Sequence, residues 1–106
     1  MQAIMVQPSL PRDRAAELAL RYRLPLFVAS AEFAHAGALM AYGADNVAVY
    51  RQSATFVDKI LKGRKPADLP VELATKFLLL VNLKTANALG LTLSPTLLNR
   101  ADQVIE

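Results

Sequence analysis

Hydrophobic positions in this chain follow two rhythms, short unbroken apolar runs and longer stretches with a repeat of three to four. Leu39-Met40-Ala41-Tyr42 is one of the short runs and suits a strand. Gly43 and Ala44 break it, and Asp45 is placed to cap a helix through its carboxylate. Apolar residues then recur at 47, 50, 54, 57 and 61, with Phe56 and Ile60 widening the stripe. Lys59 and Lys62 lie where cations favour a helix end, Gly63 is placed to stop the helix, and Pro66 and Pro70 oppose continuation. This best-punctuated helix is the one against which the sheet is expected to pack.

The rest of the chain repeats the theme. Gln2 to Val6 reads as a short strand with Ile4 and Val6 inside, and Pro11 opens a helix with the stripe Ala15, Leu18, Ala19, Tyr22. Leu26-Phe27-Val28-Ala29 is continuous rather than alternating, as in a strand covered on both faces. Ser30 is placed to cap a short helix, Ala31 to Ala36, closed by Gly37. After the proline-containing stretch KPADLPVELA comes a strand from Lys76 to Val81, then a helix capped by Asn82 and stopped by Gly90. Ser94-Pro95 signals a final helix with Leu97, Leu98, Ala101, Val104 and Ile105 as its buried side. Strands near 3–7, 25–29, 38–42 and 76–82 alternating with helices predict the α/β class, a parallel sheet with helices on both faces and right-handed crossovers.

Composition narrows the possible chemistry. With 54% hydrophobic and 20% charged residues, the 106-residue chain can bury a core and is unlike a disordered segment. It is rich in apolar residues for a small domain, which leaves much of its surface wet, so some apolar faces are expected to meet a partner or a missing half. The net charge of +3 is dispersed, and only Lys62-Gly63-Arg64-Lys65 approaches a basic cluster, which reads as a solvated helix end. Nucleic acid is therefore not an expected partner. Without cysteine there is no disulfide, zinc–thiolate site or thiol catalysis. No apolar run reaches the roughly 20 residues of a membrane helix. The opening MQAIMVQPSLP lacks the basic start and small-residue cleavage site of a signal peptide.

No catalytic or metal constellation is predicted, and no cofactor. His35 is the single histidine, and no GxGxxG or Walker sequence is present. Glu32, Asp45 and Asp58 lack the paired spacing of acid–base work. In open parallel sheets ligands gather beyond the carboxyl ends of strands, which makes Gln7, Ser30, Glu32, Phe33 and Tyr42 the geometric candidates for a pocket. For each residue alone, a role in loop structure competes with ligand contact.

Two blocks then carry a family likeness: RAAELALRYRLPLFVASAEFAHAGALMAYGADN and ATFVDKILKGRKPADLPVELATKFLLLVNLKTANALGLTLSPTLLNRADQVIE. The most specific pieces are ILKGRKPADLP, NLKTANALGL and SPTLLNRAD. From Arg14 onward the chain resembles the C-terminal part of ABC-transporter substrate-binding proteins of the tryptophan/tyrosine type. The resemblance implies a partial class I periplasmic-binding-protein (Rossmann-like) fold and a non-enzymatic role. A small solute such as an amino acid would be bound between two lobes and delivered to an ABC permease, in the periplasm or from a lipid anchor. It implies ligand contact by Ser30, Glu32, Phe33 and Tyr42: hydrogen bonds from the first two to the ammonium or carboxylate, stacking from the rings. As a single partial domain, 1–38 would be a second-lobe segment, 39–63 a hinge strand and long helix, and 64–106 the C-terminal segment. A self-associating module without ligand binding is the alternative. A flavodoxin- or receiver-like domain is disfavoured because the acidic cluster and matching lysine are missing. The apolar excess also leads to an expected homodimer, through the long helix or a sheet edge.

Overall fold

The computed structural model describes residues 2–106 and divides into two compact units, one of 2–43 with 78–106 and the other Ala44–Phe77. The first unit holds a sheet of five strands in the order β1-β2-β3-β4-β5: β1 Ile4–Met5, β2 Leu26–Val28, β3 Met40–Ala44, β4 Phe77–Asn82 and β5 Gln103–Ile105, with β3 and β4 each extending past the boundary. The helices are α1 Arg12–Arg21, α2 Ala31–Ala36, α3 Asn46–Leu61, α4 Leu83–Leu89 and α5 Pro95–Arg100.

Three neighbouring strand pairs are parallel, with Ile4 beside Leu26, Val28 beside Ala41 and Val81 beside Val104. The fourth corrects the all-parallel expectation. Asn82 N–H donates to Leu39 O, and Asp45 N–H to Lys76 O, each at 2.9 Å, so β3 and β4 run antiparallel. A parallel neighbour requires a crossover that brings the chain back to the end where the first strand began. Here the residues after Gly63 lead the chain into β4 at the end where β3 finished.

Strand alternation sorts the side chains of the first unit. Leu26, Val28, Ala41 and Leu80 point to one face and form the core with Ala16 and Ala19 of α1 and Phe33 and Ala34 of α2. The small residues of α1 let it approach closely, and the expected stripe turns accordingly: Ala16 is buried, whereas Tyr22 lies beyond the helix and is exposed. A buried polar link joins α2 to α4. Asn82 Oδ1 accepts from Thr85 N–H (3.0 Å), Asn82 Nδ2 donates to Ala34 O (2.9 Å), and Thr85 Oγ1 donates to Gly37 O (3.0 Å). Asn82 is thus the expected helix cap and also a tie between elements 48 positions apart.

The chain's end also corrects the sequence reading. Ser94 caps α5 through Leu97 N–H, but the helix stops at Arg100, and Val104 and Ile105 belong to a strand. Asp102 makes the switch: its carboxylate accepts from Leu79 N–H and its own N–H donates to Leu79 O, both at 2.8 Å. A side chain that completes a strand's hydrogen bonding competes with helix continuation.

In the second unit Asp45 caps α3 as expected, accepting from Val47 and Ala48 N–H at 3.0 and 3.2 Å, and Gly63 ends it at φ +102°. Gln52 bonds Glu72, and Lys76 Nζ lies 3.4 Å from Asp45 Oδ2, tying the extended residues before β4 to the helix. No residue of α3 is buried.

Candidate functional site

The face of the sheet opposite the α1–α2 core carries a pocket of about 580 Å³. Register builds it: Met5 stands beside Phe27 and Phe27 beside Met40, so these three side chains form a row across β1, β2 and β3. Tyr42, two residues beyond Met40 on β3, continues the same face, and Leu79 joins from β4. Gln7 and Pro8 close it beyond the end of β1, and Ala29 beyond β2. The walls are thus mostly hydrocarbon and thioether, with the Gln7 amide and the Tyr42 hydroxyl as polar side-chain groups. Such a surface suits an aliphatic or aromatic body oriented by a few hydrogen bonds. Met5 and Tyr42 are 83% and 62% exposed.

At the rim of this pocket the chain makes an unusually close pass. An ideal Cβ on Gly43 would sit 2.0 Å from Ala29 O and 2.9 Å from Ala29 C. Only a residue without a side chain lets the strands run this near each other just past Tyr42.

Of the residues read from the sequence, Tyr42 and Gln7 line the pocket. Ser30, Glu32 and Phe33 do not. The Ser30 hydroxyl donates to the Glu32 carboxylate instead of capping α2. That bond, with the backbone N–H of Glu32, holds the carboxyl below its ordinary value against opposition from burial; the charges of Arg12 and His35 add to the lowering. Glu32 borders a separate shallow concavity with Arg12, Asp13 and His35. Phe33 is 3% exposed and is a core residue. The sequence reading missed Met5, Phe27, Met40 and Leu79. Their signal was parity: in an unbroken apolar strand every second residue faces away from the core, and register groups those residues.

Among the described residues no group of histidine, cysteine and carboxylate side chains is arranged to hold a metal ion, and no helix is long and apolar enough to cross a membrane.

A family profile described as ABC transporter substrate binding protein matches residues 14–105. The chain belongs to this family. Among solved structures it is similar to a conserved domain protein from Vibrio cholerae O1 biovar El Tor str. N16961, at 26% identity and a TM-score of 0.91, over 97% of this chain and 36% of that one. It is also similar to the ABC domain in complex with L-Trp from Streptococcus pneumoniae, at 27% identity and a TM-score of 0.77, over 85% of this chain and 31% of that one. The ligand-free, open structure of CD0873, a substrate binding protein with adhesive properties from Clostridium difficile, shares the fold at 21% identity and a TM-score of 0.63, over 90% of this chain and 31% of that one. The chain spans about a third of the length of these solved chains. No curated protein sequence matches it. The substrate-binding family and its mixed, mostly parallel α/β sheet agree with the resemblance carried by the motifs.

Proposed function

We propose that these residues form part of the solute-binding body of an ABC importer, taking up an amino-acid-like solute outside the cytoplasmic membrane, in the periplasm or from a lipid anchor, and passing it to a permease. The family match over residues 14–105 carries this reading. The L-Trp complex of the streptococcal relative, at 27% identity, favours an aromatic amino acid. The apolar row Met5, Phe27, Met40 beside Tyr42 is chemically suited to an aromatic side chain. In this reading Tyr42 stacks on the solute, Ser30 and Glu32 act as a hydrogen-bonded pair toward its charged end, and Phe33 supports α2 from the core. Residues 1–38 would belong to the second lobe, 39–63 would carry the hinge strand and the long helix that returns to the first lobe, and 64–106 would be the C-terminal segment.

The test is calorimetry with L-tryptophan, L-tyrosine and L-leucine on the two-lobed protein carrying these residues, unchanged and as Tyr42→Ala, Ser30→Ala and Glu32→Gln. Binding of an aromatic amino acid, weakened about tenfold or more by Tyr42→Ala, is the expected result. Equal affinity in all three variants would remove these residues from the site, and no binding of any amino acid would remove the solute class. The second reading, a self-associating module without ligand, is favoured by one observation, the exposed apolar side of α3.

A further inference from the structure

We propose that Gly43 is a positioning residue of the solute site, which sets the gap between Tyr42 on β3 and the Ser30–Glu32 pair beyond β2. This role rests on the solute function proposed for these residues.

Space, and not backbone conformation, requires the glycine. A Cβ built on Gly43 would lie 2.0 Å from Ala29 O, 2.9 Å from Ala29 C and 3.5 Å from Ala29 Cα. Non-bonded heavy atoms in ordinary contact lie about 3.5 Å apart, so this Cβ would need the two backbones to part by roughly 1.5 Å. The obstacle is a main-chain peptide, which has no side-chain rotamer with which to step aside. The other three glycines differ in kind. Gly37, Gly63 and Gly90 have φ of 124°, 102° and 72°, where glycine relieves strain. At Gly63 and Gly90 a Cβ would meet nothing within 4 Å, and at Gly37 it would touch Ala16 Cβ at an ordinary 3.4 Å.

Sequence neighbours give the contact its consequence. Tyr42 immediately precedes Gly43, and Ser30 immediately follows Ala29. One covalent step to either side of the contact therefore stands a residue assigned to the solute. The Tyr42 ring lines the pocket for the solute's body, and the Ser30 hydroxyl donates to Glu32 at its charged end. Consecutive Cα atoms are held about 3.8 Å apart across a trans peptide, so moving the Ala29 peptide away from Gly43 carries Ser30 away from Tyr42. Val28 stays paired with Ala41 just before the contact, which concentrates the opening at the strand ends. A binding constellation holds its geometry to within about 0.5 Å, and the opening forced by one methyl group is about three times that.

Calorimetry on the two-lobed protein carrying these residues tests the role, with L-phenylalanine and L-homophenylalanine as probes. The second is one methylene longer between its ring and its charged end. In Gly43→Ala the ratio of affinities should move about tenfold or more toward the longer solute, whose extra methylene spans the widened gap. Lost stability alone would lower both affinities together. Gly90→Ala is the matching control: it strains the backbone at φ 72° with nothing to displace, and its ratio should stay within about twofold of the unchanged protein. Ala29→Gly keeps the contact but frees the peptide that makes it, so it should blunt the discrimination about threefold. It carries the test where thermal melts show Gly43→Ala unfolded. A ratio unmoved in Gly43→Ala, or in Ala29→Gly where that variant stands in, would overturn the positioning role and leave the solute function in place. Failure of the unchanged protein to bind any amino acid would remove the solute function and this role with it.

Discussion

Asn82→Ala is expected to be the most damaging single truncation of a polar side chain in the first unit. Asn82 is 4% exposed and bonded at both ends of its amide. Alanine removes the acceptor for Thr85 N–H and leaves a buried donor at the start of α4 without it, a cost of about 1–3 kcal/mol. The donor to Ala34 O is lost as well. That carbonyl still receives Gly37 N–H at 3.2 Å, so this loss is nearer the roughly 1 kcal/mol of an ordinary hydrogen bond. The total is about 2–4 kcal/mol, a large part of the roughly 5–15 kcal/mol that holds a domain folded. With a slope near 1–3 kcal/mol per molar, the urea midpoint should fall by about 1–2 M. Asn82→Asp separates the two bonds: it keeps the acceptor but turns a charged oxygen toward Ala34 O, so it should be destabilising at pH 7 and partly recover when the carboxyl is protonated. A midpoint for Asn82→Ala within about 0.3 M of the unchanged chain would refute the reasoning.

Two further outcomes follow from the same geometry. Gly43→Ala forces a Cβ to within 2.0 Å of Ala29 O, and because the obstacle is backbone it should cost about 1–3 kcal/mol; an unchanged thermal midpoint would show that the strands separate freely. Ser30→Ala should raise the Glu32 titration midpoint toward its ordinary value of 4.5, read by carbon NMR of the carboxyl. Because folding lowers the Glu32 value, its contribution to stability is present above that ordinary value and is lost as pH falls through the folded one; Ser30→Ala should shrink this acid-side loss, and an unmoved midpoint would show that the hydroxyl does not hold the carboxylate.

The parts of the fold legible in sequence were those set by local chemistry. Asp45, Asn82 and Ser94 each cap the helix they precede, because a short acceptor side chain beside free N–H groups acts within three residues. Ser30 stood in an equivalent sequence position and did otherwise, since a carboxylate two residues on competes for its hydroxyl. What local pattern could not supply was long-range. Val104 and Ile105 continue a helical spacing, and pairing with β4, begun by the bonds between Asp102 and Leu79, 23 residues away, makes them a strand. The antiparallel β3–β4 junction was hidden for a like reason: apolar runs identify strands but carry no direction. The site followed the same division. Tyr42 was found because it ends an apolar run before a glycine, whereas Met5, Phe27, Met40 and Leu79 become a group only through register.

The composition of the pocket bears on how a solute would be held. An amino acid presents an apolar body and two opposite charges, and charges taken from water need paired partners. Met5, Phe27, Met40 and Leu79 answer only the first requirement, and the side-chain polarity among them comes from the amide of Gln7 and the phenol of Tyr42. The charged groups nearest in sequence carry bonds of their own: the Glu32 carboxylate with the Ser30 hydroxyl, the pair proposed above for the solute's charged end, and Asp45 with the N–H groups of α3 and with Lys76. These residues thus favour the solute's side chain more than its backbone charges. The affinity attributable to this segment should then track the apolar area of the solute's side chain, at roughly 25 cal/mol per Å² buried.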